Sequence, residues 1–289
     1  MATNTPFGQR LGLVLEGGAM RGIYTAGVLD VFLEAGIMPD VVVGVSAGAL
    51  HGCSYVAGQK GSIRYYRKYR SDKHFMGLYS LLTTGDVVGT KFCYEDIPLR
   101  LDPFDEAAFE KAPVDFYVTV TNVRTGKPEY ILCDELKVGS KMDVIRAGAS
   151  MPLCSKMVEW NGNLYLDGGV SDSIPYAKMK DFGCRKSIVV LTQPAGSLKQ
   201  PAAMAPFEAM YRKYPAFVEA MRGRDQMYNT EVCAVEQAAK QGDVFLIRPS
   251  KLLHVGRMEH DIEVLNAQYE LGRQDARNQM DAMREWIER

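Results

Sequence analysis

The chain has 289 residues, 47% of them hydrophobic and 24% charged, with a formal net charge of −1 at pH 7. That length buries a substantial core, either as one large α/β domain or as a domain with a sizeable extension. So balanced a charge supplies no global field toward nucleic acid or anionic membranes, and no nucleic-acid partner is expected.

The opening residues, MATNTPFGQR, lack the basic-then-apolar pattern of a secretory signal. Leu11 to Leu15 is a short apolar run that ends at Gly17-Gly18. Ile23, Ala26, Val28, Leu29, Phe32 and Leu33 then recur at helical spacing up to Gly36. Val41 to Val45 is a β-branched run that passes directly into AGALHGCSYVAG, a small-residue helical segment. Strand, glycine turn, helix, strand, sharp turn, helix is the opening of a parallel sheet covered by helices. IRYYRKYR reads as a helix with solvated arginines, whereas KHFMGLYSLLTTGDVVG has no assignable pattern.

Val114 to Val120 alternates as a strand, Asn122 to Pro128 turns, and Glu129 to Leu132 returns as its partner. After a helix over MDVIRAG, Met157 to Trp160 and Leu164 to Leu166 form a hairpin around Asn161-Gly162-Asn163. Asp167-Gly168-Gly169 sits at the hairpin's exit, and Ser187 to Thr192 is a further buried strand. Beyond about residue 200 the character changes to charged helical stretches, with a strand-like insert at Asp243 to Ile247. Glu259 to Arg289 reads as a terminal amphipathic helix or pair of helices. Phe207, Met210, Tyr211, Tyr214, Phe217 and Met221 recur near helical spacing, with Arg212, Lys213, Arg222 and Arg224 nearby. A lipid-facing stripe would look the same, but core packing is the commoner cause, and Pro215 interrupts the run.

No apolar run approaches a membrane span, so any membrane contact is expected to be peripheral and the location cytoplasmic. The cysteines, Cys53, Cys93, Cys133, Cys154, Cys184 and Cys233, show no CxxC pair and no zinc spacing. They read as reduced, mostly buried thiols; no metal site and no cofactor is expected.

Three segments have the composition of a reaction centre. Gly44-Val45-Ser46-Ala47-Gly48 fits G-x-S-x-G between a β-branched strand and a small-residue helix. There a strand turns sharply into a helix and holds the serine exposed at the bend. Gly17-Gly18-Ala19-Met20-Arg21-Gly22 ends the first strand and precedes a helix, so its N–H groups can face an anionic oxygen. A dinucleotide loop is the rival reading, but G-x-G-x-x-G needs glycine where Ala19 stands. Asp167 could accept a serine proton as general base; as an Asx-turn aspartate beside two glycines it would look no different.

Together, G-G-x-x-R-G, G-x-S-x-G and D-G-G, in this order, resemble the patatin-like phospholipase family over roughly residues 10 to 195. The resemblance implies a three-layer α/β/α fold with a central, mostly parallel sheet over residues 1–200, and a mainly helical C-terminal extension over 201–289. It implies metal-independent hydrolysis of lipid acyl esters, with Ser46 as nucleophile and Asp167 as its base in a dyad. Gly17, Gly18 and Ala19 take the place of the family's oxyanion hole, with Ala47 a further donor. Gly22, Gly44, Gly48, Gly168 and Gly169 complete the motifs, and Arg21 either braces the loop, meets a head group or makes a salt bridge. Ala19 departs from the third glycine of many relatives but keeps its N–H.

Two rivals share these residues. An acyltransferase would pass the acyl group to an alcohol, and a non-catalytic lipid- or nucleotide-binding module would keep only the fold. A histidine triad is formally available through His254 or His260, which follow Asp167. Neither they nor His51 and His74 stand in a matching context.

Overall fold

The structure is a computed structural model that describes residues 10–289. The segment read above for a secretory signal falls almost wholly in residues 1–9, outside the described residues. Eight strands form one sheet: β1 (Arg10–Leu15), β2 (Val41–Val45), β3 (Asp115–Asn122), β4 (Pro128–Leu132), β5 (Val158–Trp160), β6 (Asn163–Asp167), β7 (Cys184–Val190) and β8 (Val244–Ile247). The order is β5-β6-β3-β2-β1-β7-β8, with β4 also paired to β3. The run β3-β2-β1-β7-β8 is parallel throughout, and the hairpin strands join it antiparallel.

Alternation along the strands builds two cores. Leu11, Leu13 and Leu15 face one side, with Tyr24, Val28 and Phe32 of α1 (Ile23–Ala35) and Tyr55 of α2 (Ala47–Val56). Val14, Val43 and Val189 face the other. The chain is therefore a three-layer α/β/α fold. Its inner strands carry apolar residues on both faces, as parallel strands covered twice must.

The unassigned stretch between residues 73 and 89 forms α4 (Leu78–Thr84), after α3 (Arg64–Tyr69). A π-helical segment (Phe92–Leu101) containing Pro98 follows, then α5 (Glu106–Lys111) and α6 (Lys141–Gly148). The aromatic stripe past residue 205 is split at Pro215 into α7 (Ala205–Met210) and α8 (Pro215–Arg222). Proline opens α8 because an N-terminal helical position has no use for the missing N–H. Tyr211, Phe217 and Met221 are buried in a common cluster, while Met210 stays exposed. Cys133 and Cys184 are buried, Cys233 is exposed, and no cysteine among the described residues is paired. No described helix is long and apolar enough to cross a membrane.

Residues 201–289 share the sheet and both cores. β8 pairs with β7 at one edge, and α9 (Arg224–Gln241) packs Tyr228, Val232 and Val235 onto the face of Val14 and Val43. The segment from Glu259 closes as one helix, α10 (Ile262–Glu288). It crosses α1 backbone to backbone: a Cβ on Gly27 would overlap the Tyr269 carbonyl oxygen, and one on Gly272 the Tyr24 carbonyl oxygen. Neither helix can retreat without opening the core beneath, so Gly272→Val is expected to destabilise the fold by about 1–3 kcal/mol or more. A urea midpoint equal to wild type would show that the helices are not in close register.

Candidate active site

β2 ends at Val45, and the next residue takes a conformation that few side chains adopt: Ser46 has φ 53° and ψ −123°. Its carbonyl immediately accepts the Ala49 and Leu50 N–H groups, so the strand becomes α2 within one residue. The flanking glycines are forced by contact. A Cβ on Gly44 would lie 2.5 Å from Ala49 Cα, and one on Gly48 would overlap the Leu15 carbonyl oxygen. Strand and helix fold back on each other too tightly for any side chain there.

Asp167 reaches this bend through the edge of β3. β4 covers Tyr117 to Thr121 on one edge of β3, so β2 and β6 must share the other. β2 takes Asp115 to Thr119, and β6 takes Val120 to Asn122, directly beyond the end of β2. The last residue of β6 therefore stands beside the first residue after β2. The Ser46 hydroxyl donates to Asp167 Oδ2 at 2.6 Å, and Gly169 N–H donates to Oδ1 at 2.8 Å. Thr121 Oγ1 donates to the Asp167 carbonyl, and Asp167 N–H donates to the Ser150 carbonyl. A Cβ on Gly168 would overlap the Thr119 carbonyl oxygen, and one on Gly169 would press on Asp167 Oδ1 at 3.1 Å. Burial pushes the Asp167 carboxyl above the usual carboxylate range, against the opposing pull of the Ser46 hydroxyl, the Gly169 N–H, Arg224 and Lys199.

The glycine loop lies against the same bend. A Cβ on Gly17 would sit 2.8 Å from Ser46 Cβ, and one on Gly22 would sit 2.6 Å from Ala47 Cβ. Among the described residues the Gly18 and Ala19 N–H groups have no protein acceptor. Glu16 braces the loop from below by accepting the Thr192 N–H at 2.6 Å and hydroxyl at 3.1 Å. Ala19 has φ 49°, a left-handed conformation that favours glycine. Ala19→Gly is therefore expected to keep its activity, whereas Gly18→Val would drive a branched carbon into Thr192, whose Oγ1 stands 2.7 Å from the Cβ position. Loss of one oxyanion donor costs on the order of 10² to 10³ in rate. A folded Gly18→Val enzyme with near-wild-type kcat would remove the loop from the reaction.

Arg21, with its side chain largely withdrawn from solvent, forms no salt bridge among the described residues, and its buried Nε has no hydrogen-bond partner. None of the histidines contacts Ser46 or Asp167. His51 is buried in α2 with Nδ1 2.8 Å from Ser62 Oγ, and burial pushes its pKa down to about 4. His74 pairs with Asp72 on the surface, and His254 and His260 are exposed.

Two clefts meet at Ser46. The first, of about 1190 Å³ with its mouth, is lined by apolar groups including Leu50, Phe75, Ile97, Ile145 and Met151. The second, of about 940 Å³ with its mouth, runs past Asp167 and the glycine loop and is lined by Arg21, Lys199, Arg224 and Arg257. Sequence reasoning missed Glu16, Thr192, Lys199 and Arg257, and placed Arg224 beside the aromatic stripe instead of at this cleft. Arg224 opens α9 and donates through Nε to the Gly169 carbonyl at 2.6 Å, which ties the C-terminal region to the aspartate's loop. Glu231 of α9 does the same by accepting the Ser173 and Ile174 N–H groups. No local motif announces either residue.

A sheet that ends in a strained serine hydrogen-bonded to a buried aspartate, beside a glycine loop with free N–H groups, defines a class of α/β proteins with a strand-to-helix serine bend. Within that class the chain belongs to the patatin-like phospholipase family, whose model, described as Patatin-like phospholipase, matches residues 13–179. A second model, described as a domain of unknown function (DUF6363), matches residues 214–288. The Uncharacterized protein YjjU of Escherichia coli is 29% identical over 91% of this chain and 75% of its own length. Lysophospholipase nte1 of Aspergillus terreus is 30% identical over 61% of this chain, and Lysophospholipase NTE1 of Saccharomyces cerevisiae is 29% identical over 63%. The chain spans only 11% of the length of each of these two lysophospholipases. Among solved structures, VipD from Legionella pneumophila aligns over 95% of this chain and 67% of its own, at 13% identity and a TM-score of 0.48.

Proposed function

We propose that the chain hydrolyses carboxylic esters of lipids through a Ser46–Asp167 dyad and an acyl-enzyme intermediate. The observation that carries this reading is the 2.6 Å hydrogen bond from the Ser46 hydroxyl to a buried carboxylate, made at a strained bend between N–H donors and an apolar cleft. Ser46 Oγ attacks the ester carbonyl carbon while its proton passes to Asp167. The carbonyl oxygen becomes an oxyanion held by the N–H groups of Gly18 and Ala19, with Gly17 setting the loop and Ala47 at the helix N-terminus a further donor. Collapse expels the alcohol, which takes the proton from Asp167 and leaves Ser46 acylated. Water then attacks the acyl-enzyme, gives its proton to Asp167, and the fatty acid leaves as Ser46 is reprotonated.

In this reading residues 1–200 hold the reacting groups, and residues 201–289 wall the second cleft. The apolar cleft takes the acyl chain, and peripheral contact with a lipid surface belongs to the same reading. Leu78 and Leu82 of α4 are 69% and 76% exposed beside the cleft-lining Phe75, Met76 and Val88, an arrangement suited to resting on lipid. The test is a release assay over phospholipids, lysophospholipids, triacylglycerols and short esters, run with and without a competing alcohol. Free fatty acid as the main product supports hydrolysis. A new ester as the main product would make the chain an acyltransferase, and no product from any ester would leave a binding module.

A further inference from the structure

The second cleft is unusual for its charge. Arg21, Lys199, Arg224 and Arg257 line it, and among the described residues none of the four is in a salt bridge. The nearby carboxylates act on them only at a distance, because their hydrogen bonds go elsewhere. Asp167 accepts the Ser46 hydroxyl and Gly169 N–H, Glu16 holds Thr192, and Glu231 holds the backbone of Ser173 and Ile174. Arg224, which lines the cleft, donates through Nε to the Gly169 carbonyl, and no other side-chain hydrogen bond of it is formed among the described residues. The Arg21 Nε is buried without a partner. Lys199 is fixed by its backbone to Asn229, and its ammonium lies 3.5 Å from the centre of the Tyr228 ring and 3.4 Å from Ser173 Oγ.

Three half-buried cations and the exposed Arg257 gather in one cleft, where they repel one another; Glu16, Asp167 and Glu231 offset part of that repulsion, and an anion entering the cleft would relieve more of it. The effect is visible at Lys199, whose pKa burial and the neighbouring Arg224 push down to about 7. Arginine forks match the oxygens of a phosphate bidentately, as they do a carboxylate, and a phosphate monoester brings up to two negative charges where a carboxylate brings one. The two clefts share Ala19, Ser46, Met151, Arg257 and Met258, so one molecule can lie in both with its ester at Ser46.

We propose that the second cleft is a phosphate subsite, in which Arg21, Lys199, Arg224 and Arg257 hold the phosphate monoester of an acylglycerol phosphate whose acyl chain lies in the apolar cleft. The proposal rests on the hydrolase reading for the placement of the ester and adds the head group. A choline or ethanolamine head would bring a further positive charge against the same four side chains. The preferred substrate is therefore a lipid with an uncapped phosphate, such as lysophosphatidate.

The test compares kcat/KM for oleoyl lysophosphatidate, oleoyl lysophosphatidylcholine and monooleoylglycerol at fixed detergent and salt. Wild type should favour lysophosphatidate over monooleoylglycerol by about tenfold or more, the scale of one charge-assisted hydrogen bond. Lys199→Gln, Arg224→Gln and Arg257→Gln should each shrink that ratio severalfold. The ratio is unaffected by a general loss of active enzyme. A wild-type ratio near one, or a ratio unchanged in all three variants, would overturn the subsite.

Binding of the same lipids to Ser46→Ala, with and without Lys199→Gln, separates this proposal from the hydrolase reading. If wild type hydrolyses none of the esters while Ser46→Ala still selects lysophosphatidate through Lys199, the hydrolase reading fails and the subsite stands. Glycerol 3-phosphate, with the phosphate but no chain, should bind much more weakly. Equal affinity would mean a site for free phosphate compounds and would overturn the joined-cleft substrate.

Discussion

Ser46→Ala is expected to lose nearly all ester hydrolysis while keeping its fold. Removing the nucleophile of a serine hydrolase costs on the order of 10⁶ in kcat, because the acyl-enzyme route is lost and the oxyanion donors can assist only direct attack by water. Alanine is the informative replacement because it keeps the Cβ already accommodated at φ 53° and removes only the hydroxyl. The substitution strips one hydrogen bond from Asp167 Oδ2, so a small fall in the unfolding midpoint is expected and collapse is not. A fluorophosphonate should add to Ser46 in the wild type, with mass spectrometry locating the adduct on that residue alone. Turnover by folded Ser46→Ala within about tenfold of wild type, or a probe that labels another serine equally well, would remove Ser46 from the reaction.

What could be read in the sequence was what local rules dictate. Glycines at 44 and 48 are forced by the return of α2 onto β1 and β2, so the nucleophile bend announces itself within five residues. The β-branched run at Val41 to Val45 and the hairpin around Asn161-Gly162 are local in the same way. The meeting of Ser46 with Asp167 is not local. It depends on β3 outrunning β2 and offering the same edge to β6, a register that the family resemblance supplied and no periodicity could.

The region from residue 73 to 101 shows no readable pattern for another reason. Its helices are short, one is a π-helical segment with Pro98 inside, and it lines a cleft with Phe75, Met76 and Ile97 instead of presenting one apolar face to a core. The basic cleft was hidden because Lys199, Arg224 and Arg257 come from three separated segments, each of which looks like ordinary solvated charge.

Asp167→Asn is expected to reduce turnover about as far as Ser46→Ala does, and to do so without loss of stability. Asparagine keeps the shape, can still accept the Gly169 N–H and can still meet the Ser46 hydroxyl, but it cannot take a proton. Because only the ionised carboxylate is a base, wild-type kcat/KM should fall as pH drops through the Asp167 pKa. Burial holds that pKa above the ordinary carboxylate range, so the fall begins at a higher pH than an exposed aspartate would give. Stability has the opposite sign. A carboxyl whose folded pKa lies above its unfolded value is favoured by folding when protonated, and that advantage is lost as pH rises through the folded pKa. Asparagine does not ionise, so the variant should unfold at no lower urea concentration than wild type at neutral pH. His51→Ala, His74→Ala, His254→Ala and His260→Ala should each keep most of the activity on a soluble ester, because no histidine touches Ser46 or Asp167. A folded His254 or His260 variant thousands-fold slower than wild type would instead make a histidine the base and leave Asp167 to orient it.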